Sequence, residues 1–163
     1  MTTGKKRVAL GVIAGVLSIF AAQAVVAVAG LKLGLFSVSA DAPPPKWETR
    51  VAGEAVHAAI ARRALQQSNP VRPSAENLGD GAKIYQEACA RCHGKSGAGP
   101  SLYGASFYPP APYLPEHSTG FTEGELFWIV KYGIRNTAMP AWRHMLSDED
   151  IWKVVAVVKR FDQ

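Results

Sequence analysis

The sequence predicts an all-α protein: a single N-terminal transmembrane helix, a helical linker, and a small helical domain around the chain's two cysteines. Three observations predict it. Val8 to Leu31 is a run of 24 residues without a charge. Each later apolar stripe repeats at three and four residues, and no strand-type alternation or internal repeat occurs. The only two cysteines of the 163 residues stand as Cys89-Ala90-Arg91-Cys92, followed at once by His93.

The uncharged run comes first. At about 1.5 Å per residue it spans a hydrocarbon core of about 30 Å. Gly4-Lys5-Lys6-Arg7 precedes it and Lys32 follows it. The positive-inside rule then makes residues 1–7 cytoplasmic and residues 8–36 an anchor in the cytoplasmic membrane, with the rest on the periplasmic side. A cleaved signal peptide is the rival, with Ala22-Gln23-Ala24 and Ala40-Asp41-Ala42 as cleavage sites. The apolar region of a signal peptide is about 7–15 residues, so length favours the uncleaved anchor. Both readings leave the C-terminal domain in one compartment. Gly11, Gly15, Ser18 and Ala22 form a small-residue face of the kind that packs on another membrane helix.

Residues 37–75 are the linker. Pro43-Pro44-Pro45 stiffens its start, and Trp47 to Gln67 is an Ala-rich helix with little bulk to bury. It serves either as a solvated spacer or as a strut on the membrane or a partner, with Trp47 at the interface. Pro70 and Pro73 end it.

Charge follows the same division. From Ser37 onward there are 14 Lys and Arg against 13 acids, and from Glu76 onward 9 against 10. The basic excess belongs to the N-terminus and the linker, where it marks topology and membrane attraction. No aromatic-interleaved basic patch points to nucleic acid.

Residues 76–163 form the domain, 88 residues, near the lower limit for a self-sufficient core. A first helix carries Leu78, Ala82, Tyr85, Cys89 and Cys92 on one face, and Gly81 permits close helix approach. Thr122-Glu123-Gly124-Glu125 has capping-box form and opens a second helix with Leu126, Phe127, Val130 and Ile134 as its stripe. Ser147-Asp148-Glu149-Asp150 opens the last helix, whose buried side is Ile151, Val154, Val155, Val158 and Phe161.

The chemistry lies in Cys89-x-x-Cys92-His93, the attachment signature of c-type haem. Each thiol can add to one vinyl group, and the adjacent imidazole can reach the iron. A zinc site would need about four ligands, and no second motif completes one. A thioredoxin-like pair would follow a strand, whereas Leu78 to Ala88 has helical pattern. A disulfide over two intervening residues would close a tiny loop and stabilise little. One covalent haem c is therefore the expected cofactor, and it would form the centre of this small core.

The iron's far side needs a ligand or stays open. Met139 lies in the loop between the second and last helices, where Pro140 favours extended backbone. Met145 sits at the start of the next helical segment, and a lone Met is usually core filler. His57, His117 and His144 are the alternatives for a bis-His site.

From about Asn77 to Phe161 the chain resembles the monohaem class I c-type cytochromes. The resemblance is carried by an ordered set: a helix, C-x-x-C-H, Gly99-Pro100-Ser101-Leu102, a helix ending in Lys131-Tyr132-Gly133-Ile134, Met139-Pro140-Ala141-Trp142, and a last helix. It implies that the first and last helices cross closely, with Gly81 and Tyr85 meeting Trp152 or Val155. It implies His93 and Met139 as axial ligands. It implies that the Pro100 carbonyl accepts a hydrogen bond from His93. Arg135 and Trp142 have donors suited to the haem propionates, and Ala90, Arg91 and the loop from Gly94 to Ala98 would frame an exposed haem edge. The long Pro-rich aromatic segment Phe107 to Pro115 departs from a minimal member of that family.

The implied function is one-electron transfer between a donor and an acceptor protein of a respiratory or photosynthetic chain, by a carrier anchored to the membrane or held in a larger complex. No acid, base or nucleophile is required, so the chain is not expected to be an enzyme by itself. The alternative is a haem-based sensor or gas-binding module in which Met139 is a labile ligand.

Overall fold

The computed structural model describes residues 3–39, 42–64 and 66–161. Ala40 and Asp41 of the second cleavage-site candidate lie outside the described residues, as do Met1, Leu65 and the last two residues. Among the described residues the protein is all-helical, with no strand. The chain divides into two compact units, Met1–Ala42 and Pro43–Gln163.

The first unit is one helix, α1 (Thr3–Lys32). Its residues 4–29 are exposed on every side. Within its stretch Gly4–Lys32 an 18-residue window reaches a mean hydropathy of 2.4, and the helix is long and apolar enough to cross a membrane. Apolar all round, such a helix is stable only when lipid or protein covers it.

The second unit contains α2 (Lys46–Arg63), α3 (Ala75–Ile84), a π-helical turn Tyr85–Cys89, α4 (Ala90–His93), α5 (Leu102–Ala105), α6 (Leu114–Thr119), α7 (Glu123–Tyr132), a 3-10 turn Trp142–His144 and α8 (Asp148–Val158). The helix starts follow the caps written in the sequence. Ser74 accepts from the Asn77 amide, and Thr122 and Ser147 each form a reciprocal capping box, with Glu125 and Asp150.

α3 crosses α8, the most extensive helix pairing of this unit. Gly81 permits the crossing, because a Cβ there would collide with the Lys153 carbonyl and touch Val157. The pairing lies one step along α8 from the expected one. Tyr85 packs with Val154 and Val158, while Trp152 turns away and stacks on Phe127 at 4.2 Å. The crossing is tied at its exposed edge, where Lys153 Nζ reaches Asp80 at 2.9 Å and Glu149 at 3.3 Å.

α2 differs most from expectation. It spans Lys46–Arg63 rather than Trp47–Gln67, and it packs against α7. Ile60 is 1% exposed, in one cluster with Phe121, Leu126, Phe127, Ile151, Trp152 and Val155. Burying one such side chain contributes about 1.5–3 kcal/mol. His57 stacks on Phe121 with ring centroids 5.0 Å apart. The chain after α2 is fastened too: Asn69 Nδ2 donates to the Trp152 carbonyl, and the Asn69 amide donates to Glu123 Oε2, each at 2.8 Å. The compact unit therefore runs from Pro43 and includes α2 together with the helices after residue 76.

Candidate functional site

The site begins where α3 loses its regular pitch. Its periodicity predicts a continuous α-helix through Cys92, but Tyr85–Cys89 forms a π turn in which the Ala90 amide bonds back to the Tyr85 carbonyl. The extra residue in the turn changes the phase of everything after it. Tyr85 and Ala90 consequently face the α8 side of the core, with Cys89 packed at its margin. Ala90 is thus buried rather than framing an exposed edge. Arg91 does face outward, its guanidinium 4.3 Å from the centre of the Tyr103 ring.

Cys89 and Cys92 are free, half-buried thiols. Burial, then the proximity of Cys92, pushes the Cys89 thiol up to about 12. Both cysteines lie in helical segments, and among the described residues no strand precedes them as a thioredoxin-like pair would require. Among the described residues, no group of three or more His, Cys, Asp or Glu could hold a metal ion by themselves. The zinc and thioredoxin alternatives thus find no support in the geometry.

His93 closes α4 and is half-buried. Burial lowers its proton affinity, opposed by the contact with the Pro112 carbonyl and assisted by the neighbouring His117. A neutral ring has a nitrogen lone pair to offer. Nδ1 lies 3.4 Å from the carbonyl oxygen of Pro112, which leaves Nε2 free. Pro100 had been the expected acceptor. The loop holding it is tied instead to the back of the motif: the Ser101 amide donates to the Cys92 carbonyl at 2.9 Å, and Ser101 Oγ donates to the Arg91 carbonyl.

The segment that brings Pro112 to His93 is the Pro-rich departure from the family pattern. The Ala111 amide bonds to the Gly104 carbonyl at 3.1 Å and the Leu114 amide to the Gly97 carbonyl at 2.9 Å. Gly104 lies so close to the Cys92 carbonyl that any side chain there would collide with it. Pro112-x-Leu114 has the same spacing as Pro100-x-Leu102, and burial distinguishes them. Leu114 packs against the Tyr85 cluster, whereas Leu102 is 96% exposed. The second Pro-x-Leu was the available sequence signal for Pro112.

Met139 is built from the other end of the unit. The chain leaves α7 at Gly133 with φ of 66°, turns through Asn136 with φ of 61°, and returns so that the Ile134 amide donates to the Met139 carbonyl at 3.2 Å. A Cβ at Gly133 would stand 2.6 Å from that carbonyl oxygen. The Met139 amide donates to Thr137 Oγ1 at 3.1 Å, and the residue is half-buried. Met145 follows the 3-10 turn and is 61% exposed. Trp142 is half-buried, while Arg135, His57, His117 and His144 are exposed.

These residues fit a covalently held haem. Two thiols and one neutral imidazole lie within two turns, and the ring nitrogen not facing Pro112 is unclaimed. Comparison with known proteins agrees. The family model described as cytochrome c oxidase, cbb3-type, subunit III matches residues 76–157. A chain of the reducing HAO-like protein complex of Kuenenia stuttgartiensis is similar in fold at a TM-score of 0.51 and 24% identity. That likeness covers 58% of this chain and 47% of the other, so this chain spans under half of that neighbour's length.

Proposed function

We propose that this chain, which belongs to the cbb3-type cytochrome c oxidase subunit III family, is a membrane-anchored one-electron carrier with a single haem c on Cys89 and Cys92. Membership makes it a c-type cytochrome, a haem protein of electron transfer. The finer reading is that His93 and Met139 are the axial ligands, that α1 is an uncleaved anchor, and that the second unit works on the periplasmic side. Donor and acceptor are redox proteins of a respiratory or photosynthetic membrane chain, in which this chain acts as a docked subunit or a short-range shuttle.

One observation carries the His93 half of the ligand reading: Nδ1 lies 3.4 Å from the Pro112 carbonyl oxygen, which leaves Nε2 as the ring nitrogen to bind iron. Such a contact sets ring orientation and raises ligand basicity. When bound, the haem supplies a reversible one-electron change at iron, and His/Met ligation raises its potential. The chain's own residues hold their positions through that change. Tyr85 OH donates to the Gly94 carbonyl at 2.8 Å, pinning the exit of α4 to the core. Ser101 holds the carbonyls of Arg91 and Cys92, which braces the turn that carries the Cys92 thiol and the imidazole. The loop from Gly133 to Met139 closes on itself and offers a thioether from a fixed backbone.

The ligand reading is tested by the weak near-infrared sulfur-to-iron band of the oxidised protein. The band is expected in the unmutated protein, absent in Met139→Ala and retained in Met145→Ala. Rapid carbon monoxide binding by the unmutated reduced protein would instead identify a sensor with an open site.

A further inference from the structure

We propose that Lys159 is a positioning residue for the iron ligand: by holding the C-terminal end of α6 it keeps the Pro112 carbonyl against His93. This rests on the reading of His93 as an axial ligand.

α6 cannot hold its own place. It is Leu114–Thr119, under two turns, and a helix so short has almost no stability of its own. No side chain caps its N-terminus. Yet Pro112, whose carbonyl oxygen lies 3.4 Å from His93 Nδ1, stands just ahead of it. Tyr113 makes the link, its carbonyl accepting from the His117 amide at 3.0 Å. A turn of α6 therefore carries the Pro112 carbonyl with it.

The two ends of α6 are fixed by different elements. At the N-terminal end Leu114 packs against the Tyr85 cluster, and its amide donates to the Gly97 carbonyl at 2.9 Å. At the other end Lys159 Nζ, arriving from the C-terminus of α8, donates to the Ser118 carbonyl at 3.1 Å and to the Phe121 carbonyl at 2.9 Å. Packing of Phe121 in the core sets the depth of that corner. Apolar contact is non-directional, so the orientation of the corner is left to the hydrogen bonds.

The charge fits the task. The last carbonyls of a helix carry its negative end, which a cation suits. Lys131 and Lys153 pair with carboxylates, whereas Lys159 has no carboxylate in ion-pair reach among the described residues. A part-buried ammonium is costly unless its donors are bonded, and here the two carbonyls bond it. Lys159 makes no hydrogen bond to His93 or Pro112, so it acts through α6 alone. A firm bond from Nδ1 raises the basicity of an axial imidazole, and the end of α8 thereby sets a property of the ligand.

The test uses the full haem-loaded chain, reduced, in detergent micelles, with heavy-nitrogen-labelled histidine. It reads how fast the Nδ1 proton of the iron-bound ring exchanges with solvent. Lys159→Met should speed the exchange about tenfold, the net worth of one hydrogen bond. Lys159→Arg, which keeps charge and donors, should restore slow exchange. Lys153→Met, which breaks the ties to Asp80 and Glu149 at the α3–α8 crossing, should leave it unchanged. Unmutated exchange in Lys159→Met overturns the positioning role. Equal acceleration in Lys153→Met shows general loosening and overturns it too, as does an Arg variant as fast as the Met variant. Where Lys159→Met does not keep its haem, Lys159→Gln is read by the same criteria. Absence of any iron-bound histidine ring proton in the unmutated protein overturns the ligand reading itself.

Discussion

The two sides of the proposed haem site are built differently. The His93 side is laced to the rest of the unit: Ser101 bonds to Cys92, Leu114 to Gly97, Ala111 to Gly104, and Tyr85 to Gly94. The Met139 side is a short loop that bonds chiefly to itself, through Ile134, Thr137 and Met139. The first side resists local opening and the second can open without disturbing the core. Damage to the first should therefore cost the haem or the fold, and damage to the second should cost only the far ligand.

The largest effect is expected from Cys89→Ser with Cys92→Ser, which should abolish covalent haem, read as loss of haem staining on a denaturing gel. Retained stain would place attachment elsewhere. Next is Gly133→Ala, which puts a Cβ against the Met139 carbonyl at a positive φ. Strain of about 1–3 kcal/mol is expected there. It should weaken the near-infrared band and speed carbon monoxide binding while covalent haem stays. Loss of covalent haem in this variant would erase the distinction between the two sides.

Tyr85→Phe removes the hydroxyl that holds the Gly94 carbonyl and should lower unfolding stability by about 1 kcal/mol, measured by denaturant titration of the haem-loaded protein. An unchanged midpoint would show that the His93 side does not depend on that tie. The smallest effect separates the two Pro-x-Leu segments. Leu102→Ala should stay within about 0.5 kcal/mol, as for an exposed substitution. Leu114→Ala should exceed it and disturb the visible spectrum, because Leu114 seats Pro112 against His93. The reverse order would return the acceptor role to Pro100.

Local signals were legible in the sequence. The cysteine motif, the capping box at Thr122 and the close approach at Gly81 each depend on residues a few positions apart or on a single missing Cβ. The docking of α2 was not legible, because a few small or singly placed side chains, Val56, His57 and Ile60, carry it, and nothing local distinguishes them from exposed residues. The π turn was hidden for a related reason: Tyr85, Cys89 and Cys92 keep helical spacing, and the extra residue appears only once Tyr85 is seated among Val154, Val158 and Phe161. Pro112 was not legible either, because the choice between two identical spacings depends on which leucine is buried, a property of tertiary packing.

The central claim is that this chain carries electrons on one haem held by Cys89 and Cys92. Its most direct test is the intact mass of the denatured, acid-acetone-extracted protein purified from its native membrane, with peptide mapping of the retained group. The account predicts one haem retained per chain on a peptide containing Cys89 to His93. Loss of all haem to the solvent, or retention on a peptide lacking those cysteines, would contradict it.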